Sequence, residues 1–184
     1  YAIQTKGAER IVEAIDPGYE GPFASSYPAG LFEMAHNFGN QLLAQPELRH
    51  LPALYAGEIS YLDRVFGRFM HQLSRMPFAD RTLVVVLSDH GEEFGEHGKL
   101  GHGETLYGQA LHVPLGFRWT GTIEPGTSDT PVQLIDVFPT VLDLLGIEGG
   151  QGIDGRTLRP LLAGRTSKSA ARPAFAELRY APFA

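Results

Sequence analysis

The feature that most constrains the fold is the continuous apolar run Leu83–Leu87, which is rich in β-branched valine. Such a run is typical of a strand buried on both faces, as in a parallel sheet covered by helices. Asp89 and His90 follow this run closely, and a glycine-rich stretch over 91–103 comes next. Because open α/β sheets place their ligands at the carboxyl ends of the strands, the sequence predicts a ligand site directly after this strand.

Helices and strands alternate among the predicted elements, which favours an α/β fold: a layered sheet with flanking helices. The strongest helical pattern covers about 54–75, where apolar residues recur every three or four positions between Pro52 and Pro77. Gly146 is expected to end a helix over 134–145. The other predicted elements are a strand over 82–88, a short helix over 104–110, a strand over 112–118 and a last strand over 174–178.

Composition bounds the class of protein and its partners. The 184 residues are 43% hydrophobic and 20% charged, which suits one compact domain over 1–184. A net charge of −6 without a basic cluster argues against a nucleic-acid partner. The chain has no cysteine, so it has no disulfide or thiolate metal site. It shows no apolar run of transmembrane length and no signal-peptide pattern, so we expect a soluble chain of undetermined compartment.

Asp89 and His90 offer a carboxylate and an imidazole nitrogen, a combination suited to a divalent cation. Two side chains are too few to hold a cation such as Ca²⁺ firmly, so further ligands must come from elsewhere. The loop that follows contains neither H-E-x-x-H nor H-x-x-E-H, and this excludes the zinc-protease signatures.

The same region resembles the second-half signature of the sulfatase family, within the alkaline phosphatase superfamily. The resemblance covers most of the chain from about Leu54 onward and implies the C-terminal portion of an alkaline-phosphatase-like (sulfatase) fold. A motif-bearing core over 54–147 would follow a loop-rich segment over 1–53 and precede an extension over 148–184. The matching pieces are Tyr55–Ile59 with Tyr61 and Asp63, Ser88–Glu92, Gly95–Gly98, Gly101-His102, Leu106-Tyr107, Val113–Leu115, Arg118-Trp119 with Gly121, and Leu134–Gly146.

The resemblance implies roles for three residues. Asp89 and His90 correspond to metal ligands, with Ca²⁺ as the expected cation and Mg²⁺ or Mn²⁺ as alternatives. His102 lies where many relatives carry a lysine that contacts the sulfate or the leaving oxygen, so it is the expected catalytic and substrate-binding residue. An imidazole there could donate a hydrogen bond to the anion or protonate the leaving group. Lys99 fits the position of the family lysine less well.

The family's nucleophile is a formylglycine made from Cys or Ser in the pattern Cys/Ser-x-Pro-x-Arg. Ser26 begins the only similar stretch, and that stretch fails because Gly30 stands where arginine is required. No strand ending in Asp-Asp occurs either. The resemblance therefore implies that the formylglycine and further aspartate ligands belong to an N-terminal part of a larger enzyme, and that this chain alone is inactive.

Other polar residues of the region have simpler interpretations. Glu92 and Glu96 are expected to fix the loop by hydrogen bonds, and Glu93 to face solvent. His97 is interpreted as a packing residue or as a residue behind the metal ligands. Asp136 is better explained by the start of a helix than by catalysis.

The predicted function is metal-dependent hydrolysis of sulfate esters, with this chain carrying the C-terminal half of the active site. One alternative is hydrolysis of phosphate or phosphonate esters, since the superfamily includes both chemistries. Another is a non-catalytic fragment or interaction module. Apolar surface left uncovered in such a fragment would favour self-association.

Overall fold

A computed structural model describes residues 8–21, 43–149, 152–165 and 172–179. The described residues form a mixture of helices and short strands, in agreement with the predicted α/β class. Ser26 and Gly30 lie outside the described residues. The helices are α1 (Ala8–Ile15), α2 (Gln45–Leu73), α3 (Gly108–Leu111), α4 (Val137–Leu145) and α5 (Arg159–Leu162), with 3-10 turns at Ala79–Arg81 and Leu134–Asp136; the strands are β1 (Val84–Leu87), β2 (Glu93–Phe94), β3 (Leu100–Gly101) and β4 (Leu115–Arg118).

The chain divides into two compact units. The first comprises the described parts of Tyr1–Met76, His90–His112 and Leu178–Ala184, and the second comprises those of Pro77–Asp89 and Val113–Glu177.

Helix α2 is the longest element of the first unit, and its beginning differs from the prediction. It starts at Gln45, with Pro46 in its first turn, and continues through Pro52. Pro46 suits this position because the first turn lacks amide partners in any case. An interior proline costs about 3 kcal/mol. Burial of the α2 face around Pro52 offsets that cost. The buried residues of α2 are His50, Leu51, Ala53, Leu54 and Gly57.

The core of the first unit lies where α1 packs against the start of α2. Val12 from α1 packs with Leu51 and Leu54 from α2 and with Leu100 from β3. At the end of α1, Asp16 lies 2.8 Å from Nδ1 of the buried His50. Helix α1 and the first turns of α2 thus lie within the segment that the sequence predicted to be rich in loops.

Strands β2 and β3 form a small antiparallel hairpin beside α2. Glu93 pairs with Gly101, and Phe94 pairs with Leu100. The turn between them uses Gly95 and Gly98, whose φ angles of 99° and 75° favour glycine. The hairpin contains the motif piece Gly95–Gly98 in its turn and Gly101-His102 at its end.

Strand β1 of the second unit departs from the parallel, doubly buried strand that the sequence predicted. It pairs antiparallel with β4, with Val84 opposite Arg118 and Leu87 opposite Leu115. Val86 and Leu87 are consecutive and point to opposite faces of the strand, and they are 41% and 43% exposed. Neither face is therefore fully covered among the described residues. The predictions of a parallel sheet and of burial on both faces were therefore wrong for the described residues.

The N-terminus of α4 is built around the buried Asp136. One carboxylate oxygen accepts a hydrogen bond from the Gln133 amide at 3.0 Å, and the other accepts from the Arg156 amide at 2.9 Å. The Arg172 guanidinium also contacts this carboxylate. The bond from Gln133 is half of a capping box at the start of the 3-10 turn Leu134–Asp136. It supports the interpretation of Asp136 as a helix-start residue, although the Asp136 side chain does not cap α4 itself. Gly146, at φ 66°, confirms the predicted helix end.

Three smaller predictions can be compared with the structure. The strand over 112–118 is confirmed as β4, although it begins at Leu115. The helix over 104–110 is confined to α3, which begins at Gly108. The strand over 174–178 was wrong, because the described residues 172–179 form no strand. The Phe175 backbone amide instead donates a hydrogen bond to Oε1 of Gln133 at 3.0 Å.

Candidate functional site

The segment that carries His90 and Glu92 is held by backbone hydrogen bonds. The Gly91 amide donates to the Ala110 carbonyl at 2.8 Å, and the Glu92 amide donates to the Gln109 carbonyl at 3.0 Å. The backbones approach so closely that a Cβ on Gly91 would overlap the Gln109 carbonyl oxygen. Only glycine fits here without moving the chain.

His90 has a defined tautomer in its neutral form. Its Nδ1 lies 2.8 Å from the Gly91 carbonyl oxygen. A carbonyl oxygen only accepts hydrogen bonds, so Nδ1 carries the proton and the neutral ring has its lone pair on Nε2. This tautomer is the one through which Nε2 can bind a metal, and a backbone carbonyl on the other nitrogen is a common way to fix it.

His102 contacts both His90 and Glu92. Its ring stacks on that of His90, with 3.7 Å between centroids and 24° between planes. Its Nδ1 lies 3.2 and 3.4 Å from the two carboxylate oxygens of Glu92. The side chain of Glu92 is 5% exposed and that of His102 is 46% exposed. A buried carboxylate therefore holds one end of a half-exposed imidazole.

The neighbouring acidic residues take different positions from those predicted. Glu93 is 1% exposed, and its carboxylate accepts a hydrogen bond from the Thr105 hydroxyl. The prediction that Glu93 faces solvent was wrong, because β2 turns this side chain inward. Glu96 accepts a hydrogen bond from the Phe94 amide at 2.6 Å. The prediction that Glu92 and Glu96 make hydrogen bonds that fix the loop is confirmed.

His97 packs at the turn of the hairpin. Its ring stacks on Tyr107 with centroids 3.5 Å apart, and its Nε2 lies 3.3 Å from the side-chain oxygen of Gln109. These contacts agree with the packing role expected for His97.

Asp89 is exposed. It ends the segment Pro77–Asp89, which belongs to the second unit, and His90 begins the segment His90–His112, which belongs to the first. Among the described residues, no three His, Asp, Glu or Cys side chains form a group that could hold a metal ion. The structure thus brings His90 and His102 together, while the role of Asp89 stays a prediction.

The contact between Glu92 and His102 was missed by sequence reasoning. The signal that could have found it is the hairpin, since Gly95 and Gly98 favour a turn between the two residues. Pairing of Glu93 with Gly101 in antiparallel strands makes Glu92 and His102 the next facing positions.

The sequence of this chain is similar to those of known proteins. The family profile described as Sulfatase matches residues 14–147. The chain is 37% identical over 130 residues to the multifunctional alkaline phosphatase superfamily protein PehA of Trinickia caryophylli, covering 66% of this chain and 24% of that protein. It is 35% identical over 151 residues to choline-sulfatase of Rhizobium meliloti, covering 79% and 29%.

Among solved structures, the phosphonate monoester hydrolase of Silicibacter pomeroyi superposes with a TM-score of 0.64 at 35% identity. The match covers 72% of this chain and 26% of that one. The chain thus spans only 24–29% of the length of these relatives. In the part of the chain that the structure describes, we find no helix with the length and apolar character needed to span a membrane.

Proposed function

This chain belongs to the sulfatase family, and we propose that it supplies the C-terminal half of a metal-dependent site that hydrolyses sulfate esters. The observation that supports this proposal is the stacked pair of His90 and His102. In each ring a protein oxygen accepts from Nδ1, so Nε2 is the atom through which each ring would act. The first ring would bind a cation, and the second would contact the substrate.

The cation would be held by Asp89 and His90 together with residues from outside this chain. The donor set fits a divalent ion, because a carboxylate and a neutral imidazole with its lone pair on Nε2 are both suitable ligands. Ca²⁺ is the proposed ion, with Mg²⁺ or Mn²⁺ as alternatives. When bound, such an ion stabilises negative charge on an ester oxygen and lowers the pKa of a bound nucleophile.

His102 would bind the anionic ester and assist departure of the leaving oxygen. With Nδ1 donating to Glu92, Nε2 is the atom left to act on the substrate. In the imidazolium form its N–H can donate to a sulfate oxygen or transfer its proton to the leaving oxygen, and the neutral ring that remains keeps its proton on Nδ1. Its half-exposed side chain is accessible for this contact. The nucleophile, a formylglycine in the proposed enzyme, would come from the N-terminal part.

Hydrolysis of phosphonate or phosphate esters is the second candidate. It is favoured by the similarity to the phosphonate monoester hydrolase, which is as close in sequence as the similarity to choline-sulfatase. Both ester classes present a tetrahedral anion and a leaving oxygen, so the same histidines would serve either. Turnover of matched aryl sulfate and aryl phosphonate esters by the full-length enzyme would decide between them.

The half-site proposal can be tested with this chain by titration calorimetry. We expect weak or no binding of Ca²⁺, Mg²⁺ or Mn²⁺, because two ligands from the chain are too few. We also expect no turnover of aryl sulfate, phosphate or phosphonate esters. Tight binding together with turnover would contradict the proposal, because it would require a complete site within 184 residues.

The roles of the residues are tested in the full-length enzyme. Asp89→Ala should weaken metal binding and reduce turnover by more than about 100-fold, because it removes a charged ligand. His102→Ala should reduce kcat by roughly 100- to 10,000-fold with metal affinity unchanged. Glu96→Gln is a matched control on the same loop. Wild-type rates in both site variants would refute the assignment, and failure of the wild-type enzyme to hydrolyse any of the esters would refute the proposed function.

A further inference from the structure

We infer that Glu92 is a positioning residue for His102, which fixes the tautomer of the ring and directs Nε2 toward the substrate. This inference rests on the proposed function for the role of His102, although the contact itself is present in the structure. Glu92 would act without touching the substrate.

The fold brings the two residues together by strand register. Glu93 and Gly101 are paired across β2 and β3. Because the strands are antiparallel, the residue before Glu93 faces the residue after Gly101. Glu92 and His102 are those two residues, so the hairpin itself sets their contact.

Two contacts hold the His102 ring. The carboxylate of Glu92 lies 3.2 Å from Nδ1, and the His90 ring packs against the face of the imidazole. A carboxylate accepts and does not donate, so it selects the tautomer with a proton on Nδ1. The ring plane and the direction of Nε2 are then both defined.

Glu92, which contacts the His102 ring, is itself held in place. Glu92 is buried, and its amide is bonded to the Gln109 carbonyl at 3.0 Å. Its side chain therefore has little freedom to move when the ring moves. A half-exposed histidine without this anchor would sample several rotamers, and misplacement of a reacting group by about 1 Å can lower turnover by about 100-fold.

A double-mutant cycle in the full-length enzyme tests whether Glu92 acts through His102. Glu92→Leu should lower kcat by about 10- to 100-fold with little change in KM. Glu92→Gln keeps an acceptor for Nδ1 and should recover most of that loss. In a His102→Ala background, Glu92→Leu should cost less than about 2-fold, because the group that it positions is gone. An equal loss in both backgrounds, or no loss in either, would overturn the inference.

Histidine-selective ¹⁵N NMR of the same protein gives a readout independent of turnover. We expect Nδ1 of His102 to be protonated in the wild type and in Glu92→Gln. In Glu92→Leu this preference should disappear. Glu96→Gln, which alters a different acid of the loop, should leave the His102 signals unchanged.

The two readouts separate failure of the inference from failure of the proposed function. A His102 tautomer unaffected by Glu92→Leu would refute the positioning role even if His102→Ala abolished turnover. An inactive wild-type enzyme in which Glu92→Leu does shift the tautomer would refute the proposed ester chemistry and leave the structural part of the inference standing.

Discussion

Replacing Gly91 with alanine tests the close backbone approach that carries the candidate site. The new Cβ would overlap the Gln109 carbonyl oxygen, far inside the 3.0 Å that such contacts require. The two backbones must therefore separate. Two hydrogen bonds join them, from the Gly91 amide to Ala110 at 2.8 Å and from the Glu92 amide to Gln109 at 3.0 Å. Separation by about 1 Å would take both bonds beyond hydrogen-bonding distance.

The expected loss follows from these two bonds. Each contributes about 1 kcal/mol net, and a buried group left without a partner costs about 1–3 kcal/mol. Alanine also restricts the unfolded chain, which offsets about 0.4–1 kcal/mol. At about 1–3 kcal/mol for each of the two bonds, less that offset, we expect Gly91→Ala to lower the free energy of unfolding by about 1–5 kcal/mol. Urea denaturation followed by far-ultraviolet circular dichroism measures this difference.

Gly108→Ala is the matched control. Gly108 begins α3, and a Cβ there would meet nothing within 4 Å, so the variant should stay within about 0.5 kcal/mol of the wild type. Gly91→Ala should also lower turnover, because His90 and Glu92 flank the displaced residue. Wild-type stability of Gly91→Ala, with the His102 tautomer unchanged, would refute the reasoning.

Two further predictions concern the helix α4. Asp136→Ala should lower the free energy of unfolding by about 3 kcal/mol in urea denaturation, because it leaves two backbone amides and the Arg172 guanidinium without their buried acceptor; a loss below about 1 kcal/mol would contradict this. Hydrogen bonds from the Thr157 hydroxyl and from Arg159 hold the pKa of Asp143 below its usual range. The charged carboxylate therefore stabilises the fold above the unfolded pKa of about 3.9, and this contribution is lost as pH falls through the lower folded pKa. The stability difference between wild type and Asp143→Asn should accordingly be constant above about pH 5 and shrink toward acid, and a difference that grew toward acid would contradict the assignment.

Local sequence patterns predicted an element well where the pattern was strong and depended only on neighbouring residues. The apolar stripe indicated α2, and Gly146 indicated the end of α4, because both signals act within one or two turns of helix. The start of α2 was misplaced because Pro52 is normally a boundary signal. Packing of the buried face around Leu51 and Leu54 outweighs that local preference.

The pairing of β1 could not be predicted from its own residues. An apolar β-branched run indicates high strand propensity, but it does not indicate which strand lies beside it or what covers its faces. Val86 and Leu87 are partly exposed in the described chain, and β4 pairs with β1 in the antiparallel direction. The prediction of a doubly buried parallel strand assumed covering elements that a single run cannot specify.

The adjacent acids Glu92 and Glu93 show where sequence reasoning about the site ends. The two carboxylates have the same chemistry and lie in one glycine-rich loop without periodicity, so no local rule distinguishes them. The hairpin does: pairing of Glu93 with Gly101 sends the Glu93 side chain inward to Thr105 and brings Glu92 opposite His102. A one-residue slip in this register would exchange the two acids. The function proposed for His102 therefore depends on the hairpin register as much as on the identity of the residue at 92.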